Sequence, residues 1–194
     1  MSLETAQPVA PIRSVYAIHG FHSSPQKRLF QWLKLEAITR GAALEAVELP
    51  CPDAPVARHW QDALDRQLPE LDTTTGLVTH SLGGITALRY LTRDTSEWSL
   101  GTLVLVAPFA STYAGMPEEI RAFCEDVDWD TIRSRTASIS VIRSDNDTLV
   151  PATASDHVAE KLGVEPIIVA GKGHFRDSEN VVQVPEIRDA VFGS

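Results

Sequence analysis

Several features that would direct a chain elsewhere are scarce here. The 194 residues include two cysteines, Cys51 and Cys124, far apart and in no CxxC spacing. That pattern argues against a disulfide framework, and two free thiols are the expectation. No apolar run approaches the roughly 20 residues of a membrane-spanning helix. The opening, MSLETAQPVAPIRS, is polar and proline-containing, without a basic start and an apolar stretch, and does not read as a signal peptide. Residues 1–13 are expected to be a flexible leader before a single domain over residues 14–194, with the cytoplasm as location. Basic residues are few, 17 against 26 acidic ones, and the net charge of -9 comes with no local Lys/Arg cluster. Phosphate backbones repel such a chain, so neither nucleic acid nor an anionic membrane is an expected partner. Internal repeats and low-complexity tracts are absent from the sequence, and nothing in it marks a protein partner.

What the chain does have is alternation. Short apolar runs, expected as strands, occupy residues 15–18, 43–49, 76–79, 102–107, 139–143 and 166–170. Between them lie segments with helical spacing. Residues 25–39 carry Leu29, Trp32 and Leu33, and residues 56–68 carry Trp60, Leu64 and Leu68. Helices are also expected from residue 82 to about Thr95 and over residues 151–162, the latter with proline in its first turn and Gly163 beyond its end. A closing helix follows Ser178, although Pro185 interrupts it. Strands apolar on both faces, alternating with helices, imply a mostly parallel sheet between helical layers. The one long insertion, residues 108–137, either covers the carboxyl edge of the sheet or is an ordinary crossover.

Sites in such sheets lie at the carboxyl ends of strands. Three of these ends carry reactive side chains, in the order Ser, Asp, His. Thr79-His80-Ser81-Leu82-Gly83 is a nucleophile elbow in which threonine replaces the first glycine. A sharp strand-to-helix turn would lift the Ser81 hydroxyl above the sheet, and the free amides of the following helix would face a developing oxyanion. Thr79 is small enough to be tolerated. Asp145 and Asp147 compete as the acid. Asp147 stands four residues before Pro151, which opens the next helix, and is assigned; Asp145 is then a turn residue or a backing partner. His174, in Gly171-Lys172-Gly173-His174-Phe175, sits on a loop that can turn tightly back toward Ser81. A serine hydroxyl needs an imidazole to take its proton, and the imidazole needs a carboxylate to fix its tautomer. Together these point to the α/β-hydrolase fold: a three-layer sandwich with a mostly parallel central sheet and no large cap domain.

The loop after the first strand, His19-Gly20-Phe21-His22, can supply a second oxyanion donor, assigned to the amide of Phe21 beside that of Leu82. His19 and His22 have no cysteine or carboxylate at ligand spacing, so no metal is expected, and the chemistry implies no cofactor. His80 alternates away from the nucleophile and reads as a packed, hydrogen-bonded histidine. His59 and His157 read as surface residues.

The chain resembles the small serine hydrolases of the retinoblastoma-binding protein nine type. His19-Gly20-Phe21 with Ser24-Pro25 and Trp32-Leu33 carries the likeness. Leu49-Pro50, Asp53-Ala54-Pro55 and Trp60 continue it, as do His80-Ser81-Leu82-Gly83, Asp147 before Val150-Pro151, and Gly173-His174-Phe175. The resemblance implies a triad of Ser81, Asp147 and His174, a structural role for Trp60, and esterase or amidase activity on small acyl substrates. The expected function is hydrolysis of small acyl esters or amides through an acyl-enzyme on Ser81, in a shallow, partly apolar pocket. Two other readings stand beside it: a catalytically weak scaffold acting as a protein-binding module, and a thioesterase or peptidase with the same three groups.

Overall fold

The structure, a computed structural model, describes residues 10–93 and 97–193. Six strands form one sheet, β1 (Ser14–Ile18), β2 (Ala43–Ala46), β3 (Thr75–His80), β4 (Leu100–Val106), β5 (Thr136–Ser144) and β6 (Ile167–Val169), in the order β2-β1-β3-β4-β5-β6. Every pairing is parallel, with Ile18 opposite Thr79 and His80 opposite Val106. Six α-helices connect and flank the strands: α1 (Arg28–Thr39), α2 (Ala57–Gln67), α3 (Leu82–Thr92), α4 (Trp129–Arg135), α5 (Ala152–Leu162) and α6 (Pro185–Phe192).

Because successive strand residues face opposite sides, the sheet feeds two cores. Leu77, Leu103, Leu105 and Val141 pack with Trp60, Leu64, Ile85, Leu88, Ile132 and Val158 under α2–α5. Val78, Val104, Val106 and Ile142 pack with Leu29, Phe30, Leu33, Ile187 and Val191 under α1 and α6. No helix among the described residues is long and apolar enough to cross a membrane.

Several boundaries differ from expectation, for local reasons. Helix α1 starts at Arg28 rather than at residue 25, because Lys27 is extended (φ -45, ψ 129) and its side chain turns inward. Strand β2 stops at Ala46 rather than 49, since the Gln67 side chain takes over both the amide and the carbonyl of Glu48. The closing helix begins not directly after Ser178 but at Pro185, which is its first residue. Helix α3 ends at Thr92, and Thr95 lies outside the described residues. At the start of the chain, Ile12 packs on the core and the Arg13 amide donates to the Thr74 carbonyl.

The insertion serves both roles considered for it. Ile120, Phe123 and Ile132 are buried in the core, while Tyr113, Ala114, Gly115, Pro117 and Ile120 border the cavity above the sheet. Trp60 is fully buried, donates from Nε1 to the Pro50 carbonyl at 2.9 Å, and meets Phe123 edge-on.

Candidate active site

The chain order reverses between β1 and β3, which leaves a crevice at their carboxyl ends. Ser81 stands there, directly after β3, with φ 54 and ψ -121. This positive φ is costly for a non-glycine residue and is sustained by its surroundings. The Ser81 amide donates to the Val106 carbonyl at 2.9 Å, which pins the turn to β4. On the far side of the turn, a Cβ on Gly83 would lie 2.4 Å from the Ile18 carbonyl oxygen and 2.6 Å from that of His19. Only glycine lets the start of α3 approach β1 this closely. Thr79 fits without distortion: it is fully buried and its hydroxyl points to the Val104 carbonyl.

Asp147 and His174 come from loops after β5 and β6. Asp147 Oδ1 accepts the amides of Leu149 (2.8 Å) and Val150 (3.0 Å), and Oδ2 lies 2.7 Å from His174 Nδ1. Both side chains are buried, 5% and 7% exposed, so solvent screens the pair little. A carboxylate can only accept, so Nδ1 carries the proton and the Nε2 lone pair is left free. Asp145 instead accepts the Gly171 amide at 2.8 Å, the backing role considered for it. Asn146 Oδ1 takes the Gly173 amide and Ser144 Oγ the Lys172 amide, so one loop is laced to the other. Gly173 itself has φ +52 and no room for a side chain against Glu179.

The remaining histidines separate as expected. His80 is 3% exposed; its Nε2–H donates to the His174 carbonyl at 2.8 Å, and its Nδ1 has no partner among the described residues. Burial holds its pKa well below the usual histidine value, so the ring is neutral. His19 bonds the Gly20 carbonyl and stands edge-on to Trp60, while His22 pairs with Asp53 at 2.7 Å. His59 and His157 are exposed.

Ser81 and His174 border one cavity of about 840 Å³. Among the described residues the His174 ring is hydrogen-bonded to Asp147 and not to the Ser81 hydroxyl. Such bonds often tighten only when substrate is bound. Tyr113, Ile120, Leu149 and Val150 make an apolar wall. Burial, helped by the charge of Asp147, pushes the Tyr113 phenol up to about 12, so it stays neutral. Ser24, Lys27, Arg176, Asp177 and Ser178 make a polar wall. Sequence reasoning missed Lys27 and Glu179: a lone lysine at a helix start and an acid three residues from Arg176 look like surface residues.

The profile of the serine hydrolase family matches residues 15–192. The chain belongs to this family. Relatives agree: the YdeN protein of Bacillus subtilis is 29% identical over 180 residues, 92% of this chain and 94% of that one. The serine hydrolase RBBP9 of Rattus norvegicus is 25% identical over 166 residues, 84% of this chain and 82% of that one. The crystal structure of the B. subtilis ydeN gene product superposes with a TM-score of 0.86, covering 91% of this serine hydrolase and 95% of that chain. The fold is that of the α/β-hydrolases.

Proposed function

We propose that this hydrolase cleaves small acyl esters or amides through an acyl-enzyme on Ser81, with His174 as base and Asp147 as its orienting acid. The observation that carries the reading is the buried 2.7 Å Asp147–His174 pair facing the cavity that Ser81 borders. Ser81 Oγ attacks the carbonyl carbon as its proton passes to His174 Nε2. The amides of Phe21 and Leu82 hold the oxyanion, Leu82 standing in the first turn of α3, where amides have no helical acceptor. The tetrahedral adduct collapses as His174 returns that proton to the leaving oxygen or nitrogen. Water then attacks the acyl-serine, giving a proton to His174, and the acid leaves as Ser81 recovers its hydrogen. The wall of Tyr113, Ile120, Leu149 and Val150 receives a short apolar acyl group. Arg176, Asp177 and Ser178, close after His174 in sequence, receive the leaving group.

Labelling with a fluorophosphonate probe tests this. The native protein is expected to label, and Ser81→Ala and His174→Ala to lose labelling. A folded native protein that does not label would overturn the reading and turn attention to a protein-binding scaffold. With p-nitrophenyl esters, acetate and butyrate are expected to turn over faster than decanoate; the opposite order would refute the short-acyl assignment.

A further inference from the structure

Among the described residues, Lys27 is the one buried lysine or arginine. It is 4% exposed, and its ammonium donates to the Phe175 main-chain carbonyl at 2.5 Å, across 148 residues of sequence. No carboxylate is bonded to it among the described residues. Burying an ammonium against one neutral acceptor is costly, and an apolar side chain of similar size would serve packing better. The acceptor explains the arrangement. Phe175 follows His174 directly and has a positive φ of 55, and its carbonyl is the one that Lys27 reaches. The preceding carbonyl, that of His174, is held by His80 Nε2–H at 2.8 Å. On the opposite side the Glu179 carboxylate takes the amides of His174 and Arg176, each at 2.9 Å.

We propose that Lys27 and His80 are positioning residues for the base: two buried donors that grip the consecutive carbonyls of His174 and Phe175 and fix the imidazole between Asp147 and Ser81. The inference rests on the acyl-transfer reading of this site. Both line the cavity, and the His80 ring lies against that of His174 with centroids 4.8 Å apart, but each donates its hydrogen bond to the main chain of the loop. The charged and titratable groups around Lys27 are Asp177, Glu179 and Arg176 on the turn after the histidine and His80 and His19 at the strand ends. Burial, the largest influence, brings Lys27 down to about 8, so near neutrality it remains a cationic donor.

Lys27→Met keeps the length of the side chain and removes the donor; His80→Phe does the same for the ring. Each is expected to melt within a few degrees of the native protein. Each should lower kcat for p-nitrophenyl acetate by about ten- to a hundredfold, the cost of a slightly misplaced catalytic group, with KM changed little. The slow fluorophosphonate labelling expected of Lys27→Ala should be restored in part by propylamine, which replaces the missing stem and donor, and not by propanol. Independently of activity, the low-field NMR signal of the His174 Nδ1 proton is expected to broaden in Lys27→Met. A native protein that fails to label refutes the acyl-transfer reading. A native protein that labels, with Lys27→Met equal in kcat and in its low-field proton, refutes the clamp alone. Should Lys27→Met not fold, Lys27→Gln, which keeps a neutral donor of shorter reach, is read by the same proton: a native-like, sharp signal with unchanged kcat despite loss of reach refutes the clamp, and a broadened one supports it.

Discussion

At the scale of single residues, the two aspartates after β5 show how position divides identical chemistry. Asp147 has one oxygen on two loop amides and the other on His174, so it is fixed before it fixes the ring. Asp145 is exposed and spends its carboxylate on one amide. Asp147→Asn is therefore expected to lower kcat by about ten-thousandfold, the loss seen when a triad acid ceases to set the tautomer. Asp145→Asn should cost much less. If steady-state kinetics ranked them the other way, the acid assignment would fall. Lys27 gives a second residue-level expectation. Its folded pKa of about 8 lies below its ordinary 10.5. Between these values the unfolded chain binds the extra proton, so the Lys27 contribution to stability rises with pH from about 8 to about 10.5 and is level below about 8. Urea melts of native protein and Lys27→Met across that range should differ by this slope; parallel curves would contradict the burial argument.

At the scale of elements, the site depends on how closely α3 can approach β1. The missing Cβ of Gly83 leaves that approach open. Gly83→Ala must push main chain away from main chain, and overpacking of this kind costs about 1–3 kcal/mol. The expected outcome is a lowered urea midpoint together with lost fluorophosphonate labelling, since the same shift moves Ser81. Helix α2 is held differently. Trp60 anchors it through one hydrogen bond and an edge-on contact with Phe123 in a fully buried setting. Trp60→Phe removes the indole donor and leaves the Pro50 carbonyl without it, at a cost of about 1–3 kcal/mol. Here labelling of the folded fraction should persist, because Trp60 lies outside the cavity lining.

At the scale of the whole molecule, the groups proposed for the chemistry belong to four separate strand ends. Phe21 follows β1, Ser81 follows β3, Asp147 follows β5 and His174 follows β6. They meet only because the sheet is parallel throughout, which sends all four ends to one edge. The histidine loop is tied to the β5 loop by three main-chain amides and to Lys27 and His80 from below. Loss of activity in urea is consequently expected to coincide with loss of tryptophan fluorescence. Labelling that disappeared at lower urea would show that the loop opens on its own.

The sequence by itself determined the six strands, most of the helices around them, and the choice of Ser81, Asp147 and His174 as candidates. Those follow from local rules: apolar runs, helical spacing, an elbow, and a reactive residue just past each strand. Local rules are legible because they involve neighbours within a few positions. Even the misplaced boundaries, the start of α1 and the end of β2, came from side chains acting at a distance, Lys27 and Gln67. Tertiary structure decided the rest. It separated Asp145 from Asp147 by the partners each reaches, gathered the cavity lining from distant loops, and drew Lys27 inward to a carbonyl 148 residues away. No periodicity marks such a lysine, because burial of one charged side chain depends on which loops close over it, and that is settled only when the sheet has assembled.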